Sequence, residues 1–217
     1  MRQTFTYRGC TITVRPDELA ESPNDRGDDC LFLVGFHRDF YVVREGFEQA
    51  RLADQARLAA CRQQYHTFLL RAYIHSGVAL SLGTGYPFNC PWDSMWVGMV
   101  FVERTYWATE GEAERAAQSL VAEWNDYLSG NVWWFETEDA QGRDIASCGG
   151  IYGDIETAVL PAARLEIDAH LHDVRRSHLK RLKAWIRHGT PLATRKPCPP
   201  ASAVAPSATP VALEGGF

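Results

Sequence analysis

Thr109-Glu110-Gly111-Glu112 is a capping box. The threonine hydroxyl can accept from the backbone N–H three residues on, and the glutamate can reach back to the N–H of the threonine. Ala113, Ala116, Ala117, Leu120, Trp124, Tyr127 and Leu128 then recur at spacings of three and four, and Gly130 stands where a left-handed C-cap ends such a helix. Runs of β-type residues flank it, Trp96 to Glu103 before and Val132 to Thr137 after. A helix so completely signalled, set between strands, restricts the chain to a mixed fold.

The turns decide how the strands pair. Thr4 to Tyr7 and Thr11 to Arg15 are β-branched and aromatic around Arg8-Gly9, which predicts a hairpin. Phe5, Tyr7, Ile12 and Val14 are assigned to its core face, and Thr4, Thr6, Thr11 and Thr13 to its wet face. A second hairpin is expected from Val132 to Thr137 and Asp144 to Ile151 around Asp139-Ala140-Gln141-Gly142. Cys30 to Phe36 is a continuous apolar run suited to a buried central strand, and Phe68 to His75 is another strand. Glu18 to Asp29 reads as an acidic loop, and Gly46 to Tyr65 as a helix whose arginines form a solvated face. Ile155 to Leu160 opens a last helix, Pro161 marks a boundary or a first-turn residue, and residues 163–189 are basic and amphipathic. The expected architecture is α+β: a mainly antiparallel sheet with about three principal helices, in a single domain over residues 1–189. Residues 190–217 are rich in Pro, Ala, Ser and Thr and are expected to form a disordered tail.

Composition narrows the function classes. Hydrophobic residues make up 46% and charged residues 23%, and the net charge is -5, so no global basic field attracts nucleic acid. No apolar run approaches the ~18 residues that span a bilayer, and M-R-Q-T-F-T-Y-R lacks the apolar centre of a signal peptide. A cytoplasmic protein is expected. The six cysteines form no C-x-x-C and no zinc-ligand spacing, and no cofactor motif is present.

Chemistry-bearing side chains concentrate between Tyr73 and Val100, with Gly77, Gly83, Gly85, Pro87 and Pro91 bending the path. His75, Cys90 and Asp93 could serve as base, nucleophile and orienting carboxylate. The alternative is that Cys90 is a small buried hydrophobe and Asp93 caps a turn. Trp92 and Trp96 are candidate anchors for a partner, with Ser94 and Tyr152 completing the binding set. Trp133 and Trp134, adjacent on a strand, must point to opposite faces, so at least one side needs a cover: a helix, a loop or a partner. Ser147 to Gly153, with three glycines around Tyr152, is a second special turn that could face the first. On the last helix, Arg175, Arg176, Lys180, Arg181 and Lys183 could bind phosphates, but a solvated face is preferred on sequence alone.

Several of these segments together resemble a family of small proteins from phage genomes and other bacterial mobile elements. The resemblance rests on H-S-G at His75 to Gly77, P-F-N-C-P-W-D-S at Pro87 to Ser94 with Gly98 after it, and N-D-Y-L-S-G at Asn125 to Gly130. S-C-G-G-I-Y-G at Ser147 to Gly153 continues it, with the weaker E-S-P-N at Glu21 to Asn24 ahead of G-F-H-R at Gly35 to Arg38. The family pattern has an aromatic where Gly149 stands and a simpler run at Ser81 to Tyr86. The family carries no established activity, so the resemblance implies a setting and not a mechanism. In that setting the expected function is that of an accessory protein acting on host machinery, by stoichiometric binding of a host protein or complex in anti-defence. The alternative is a hydrolase or transferase using Cys90, His75 and Asp93.

Overall fold

The computed structural model describes residues 2–26, 29–49, 55–83 and 92–187. The fold is α+β, with two antiparallel sheets rather than one. The chain separates into two compact units, each assembled from discontinuous segments. No change of composition marks such a boundary, which is why the sequence reads as one domain.

The first unit comprises Met1–Arg15, Trp134–Cys148 and the chain from Ile155 onward. Most of a four-stranded sheet belongs to it, made from β1 (Gln3–Tyr7), β2 (Cys10–Pro16), β8 (Val132–Glu138) and β9 (Asp144–Tyr152) in the order β1-β2-β8-β9. The expected hairpin at Arg8-Gly9 is present, and both turn residues have positive φ, 49° and 80°. A turn of that hand matches the twist of the strands it joins. Ile12 and Val14 are buried as expected. Thr13, assigned to the wet face, is buried too, and its hydroxyl accepts from Arg2 at 3.5 Å. The Asp139–Gly142 turn is held by Asp139, which accepts from the backbone N–H of Gln141 and Arg143 and from the Arg143 guanidinium. Those bonds, the ones from Arg143 foremost, hold its carboxyl down to about 2.

A π-turn at Ile155–Val159 leads into the long helix Leu160–Arg187. Its first half is tied to the hairpin. Leu160, Ala163 and Ile167 are buried, Asp168 pairs with Arg8 at 3.0 Å and accepts from the Tyr7 hydroxyl, and Arg164 lies over the Tyr7 ring.

The second unit comprises Pro16–Trp133 and Gly149–Asp154. The strands of its five-stranded sheet are β3 (Leu31–His37), β4 (Phe40–Val42), β5 (Tyr65–Ile74), β6 (Val78–Leu82) and β7 (Ser94–Glu103). They lie in the order β4-β3-β7-β5-β6. β3 is a central strand, as its continuous apolar run predicts. The short edge strands β4 and β6 carry no legible alternation, and the sequence reading lacks both.

One face of this sheet is closed by helix Glu110–Leu128. Leu33, Leu70, Ala72, Val97, Val100 and Val102 pack there with Ala113, Ala117, Leu120, Val121 and Trp124. The helix has the predicted capping box, and its hydrogen bonds to Thr109 hold the Glu112 carboxyl below its ordinary range. Gly130 ends it with φ 73° and donates to the Tyr127 carbonyl. Numbered in chain order, the helices are α1 (Pro23–Arg26), α2 (Gln55–Gln64), α3 (Glu110–Leu128) and α4 (Leu160–Arg187). α1 interrupts the expected acidic loop; of the helix expected over Gly46 to Tyr65, α2 is the C-terminal part, while Gly46 (φ 87°), Phe47 and Glu48 are not helical and Tyr65 opens β5. The expected tail from Thr190 lies outside the described residues.

Two asparagines finish the sheet. Beyond the end of β4, the Asn24 carboxamide accepts from Leu33 N–H at 3.1 Å and donates to Leu33 C=O at 2.7 Å. At the opposite edge, Asn125 on α3 does the same to Leu80 of β6, at 2.7 and 3.0 Å. Each side chain stands in for a missing strand, satisfying one N–H and one C=O. The indole of Trp124 donates to Asn24, so consecutive residues of α3 serve both edges.

Candidate functional site

The second face of the five-stranded sheet is half covered. At one end Phe32, Val34, Tyr65, Met99 and Phe101 pack under Phe47 and under Leu58 and Cys61 of α2. Burial among these side chains, with Glu103 nearby, raises the Tyr65 hydroxyl above its usual range. At the other end no such cover comes from the described residues. Tyr41 is 67% exposed, Trp96 45%, Leu69 42% and Trp92 89%.

A bulge in β7 produces this arrangement. Leu70 pairs with Gly98 but Arg71 with Trp96, so Val97 is the extra residue. The parity of the strand switches there: Met95 and Val97 share a face with Val100 and Val102, and Trp96 shares the other with Met99 and Phe101. Without the extra residue, Trp96 would point into the α3 core. Registers across the sheet then place one row on the open face. Tyr41 lies opposite Phe36, the Phe36 and Trp96 ring centroids are 6.2 Å apart, Trp96 lies opposite Arg71, and Arg71 opposite Ser81. Tyr73 follows two residues after Arg71, opposite Ser94.

The candidate catalytic pair sits at the end of this face. His75 begins the turn between β5 and β6, its N–H donating to Gly77 C=O at 3.2 Å. Asp93 directly precedes β7 and its carbonyl accepts from Ile74 N–H at 2.9 Å. That bond brings His75 Nδ1 to 4.0 Å from Asp93 Oδ2, with the Tyr73 ring 6.3 Å from the imidazole. His75 and Asp93 therefore meet. Cys90 lies outside the described residues, as does the rest of the stretch 84–91. A histidine beside a carboxylate can hold a tautomer or move a proton.

The other candidates separate into exposed and engaged. Trp92 and Trp96 are exposed, and Ser94 is buried at the start of β7. Tyr152 donates its hydroxyl to Glu21 C=O at 2.6 Å, and Gly150 N–H donates to Asp17 at 2.7 Å. Ser147 to Gly153 is thus the end of β9 rather than a turn, with left-handed residues at Gly150 and Gly153. Trp133 donates to Gly153 C=O at 2.8 Å, and Trp134 lies 4.2 Å beneath the Arg15 guanidinium. The tryptophans expected to need cover find it in their own units. His37 accepts from Asp39 N–H at the end of β3, a structural use.

Tyr41, Phe36, Leu69 and Arg71 were not singled out by the sequence. Their joint placement depends on the β3-β4 pairing and on the bulge, neither of which leaves a local signal. In the first unit, ligand atoms of Glu136, Glu138 and Asp144 lie within 4.8 Å of one another. A hard cation accepts such oxygens, but neighbouring strand carboxylates meet in this way without one, and no further feature points to a ligand. Among the described residues no helix is long and apolar enough to cross a membrane. No protein-family model matches the chain, and neither a curated protein nor a solved structure is similar to it.

Proposed function

We propose that the protein acts by binding a partner protein through the open half of its five-stranded sheet. In the mobile-element setting suggested by its sequence motifs, the partner is a host protein or complex, and stoichiometric occlusion is the mode of action. The observation behind this reading is the row Tyr41–Phe36–Trp96–Arg71, joined by Leu69 and the solvent-exposed Trp92. Aromatic residues and Arg are the types enriched at the centres of protein interfaces, where Lys, Glu and Asp are depleted. Rings held on a sheet lose little freedom on binding, so more of the contact energy survives as affinity.

The test compares the full chain with a Trp92→Ala/Trp96→Ala variant as bait in host lysate. Both positions are exposed, so the variant keeps its fold by circular dichroism. A partner retained by the wild type should be lost or weakened at least about 30-fold in the variant, as for two central anchors. A partner held equally by both proteins, or none held by either, removes the proposal.

The His75–Asp93 contact favours a second reading, a hydrolase or transferase with Cys90 as nucleophile. Cys90→Ala and Asp93→Asn proteins that fold and keep full activity in a phage-protection assay would exclude it.

A further inference from the structure

Helix α4 changes character along its length. Its buried residues, Leu160, Ala163 and Ile167, all lie in its first half. From Val174 to Arg187 the sequence has six Lys or Arg and no Asp or Glu, in a chain of net charge -5. At about 100° per residue, the described side chains divide into two stripes. Leu171, Val174, His178, Leu182 and Trp185 continue the line of Ala163 and Ile167; that line is buried only in the first half of the helix, and beyond it Val174 is 50% and Trp185 39% exposed. Arg176, Lys180 and Lys183 fall within about 60° of one another on the opposite side. All three are exposed.

We propose that this stripe binds the phosphate backbone of duplex nucleic acid, without reading its sequence. Arg176 to Lys183 spans about 10 Å of helix axis. A duplex presents one negative charge per about 1.7 Å, so about six phosphates lie along such a length. Arg175 and Arg181 lie outside the stripe, Arg181 on the line of Ala163, and add to the positive field of the segment. The geometry argues against the other occupants of a basic amphipathic helix. Insertion into a bilayer needs a continuous apolar face, but His178 and Arg181 interrupt the apolar line of α4. Parallel pairing with α4 of a second copy would bring two segments without a single acidic residue against each other, and antiparallel pairing would set Val174 to Arg187 against the half whose Asp168 is already paired with Arg8. The basic stripe points away from the packed side, where a polyanion can approach.

Binding of a fluorescein-labelled duplex DNA of arbitrary sequence, about 20 base pairs long, is measured by anisotropy over a KCl series. The full chain is compared with Arg176→Gln/Lys180→Gln/Lys183→Gln and with Trp96→Ala. The wild type should bind, and log K should fall linearly with log[KCl]. Loss of three phosphate contacts should flatten that slope by about 2.7 and weaken binding equally for unrelated sequences. Trp96→Ala should bind DNA as the wild type does, which separates this result from the fate of the protein-partner surface. The proposal is overturned if the wild type does not bind, if the triple variant binds with unchanged slope, or if the chain binds phosphatidylserine vesicles through these residues and not DNA.

Discussion

The two faces of the five-stranded sheet are made from alternate residues of the same strands, yet they are finished differently. The face under α3 is aliphatic and small-residue: Leu33, Leu70, Ala72 and three valines of β7 meet Ala113 and Ala117. Such side chains interdigitate at close distance and leave a helix no freedom of position. The open half of the other face is ringed and polar-tipped, with Phe36, Tyr41, Trp96 and Arg71 in one row. Its residues give large contact area without needing a fixed neighbour. Among the described residues, one face is closed by a helix, while half of the other carries exposed rings.

The contrast depends on the bulge, and Gly98 is where it can be broken most severely. A Cβ on Gly98 would overlap the carbonyl oxygen of Val34, which is backbone and cannot rotate away. Gly35, paired with Gly98 across the β3-β7 ladder, is similarly confined by Phe40. Gly98→Ala should therefore force the two central strands apart and cost more than about 4 kcal/mol, the range of exceptional single substitutions. Urea denaturation should find it unfolded or nearly so. A midpoint close to the wild type would mean that β7 tolerates a shift there, and the assignment of Trp96 to the open face would lose its basis.

Neighbouring residues of β5 compare the faces directly. Leu70 is fully buried against α3, and Leu69 is 42% exposed on the open side. Leu70→Ala should cost about 3 kcal/mol, a transfer term plus a cavity. Leu69→Ala should stay within about 0.5 kcal/mol. Equal costs would show that the open face is also filled, and with it the partner surface would fall.

Legibility followed how local the cause of each feature is. The α3 capping box, the Gly130 cap, the Arg8-Gly9 hairpin and the buried strand β3 are written in a few consecutive residues, and all are where the sequence puts them. Pro161, in the first turn of α4, was readable for the same reason, whereas the π-turn at Ile155–Val159 stands where the sequence puts the opening of the helix. Thr13 was misassigned because alternation describes a strand with one wet face, and here both faces are shielded at that position. The open row was illegible because it joins four strands and depends on a one-residue slip at Val97. His75 and Asp93 lie 4.0 Å apart because the β5-β7 pairing sets two strand ends side by side, which their spacing along the chain does not reveal. Tyr152, Asn24 and Asn125 show the limit of motif reading: polar residues in distinctive patterns serve backbone groups and hold the sheet together.

The asparagines give the smallest and most discriminating test. Asn24→Ala removes both partners of Leu33 on an inner strand and the acceptor of the Trp124 indole, and should cost about 2 kcal/mol, since the stranded groups are shielded from water. Asn125→Ala leaves the N–H and C=O of Leu80 without their carboxamide, but β6 is an edge strand and water can take its place, so about 1 kcal/mol is expected. The Leu80 amide should then exchange with solvent faster, while amides of β7 keep their protection until global unfolding. Asn125→Asp sharpens the point. A carboxylate still accepts from Leu80 N–H but offers no donor to Leu80 C=O, so it should be no better than alanine at neutral pH. If Asn125→Asp restores stability fully, the donor half of the clamp contributes nothing, and the edge of β6 is held by the packing of Leu80 on α3 alone.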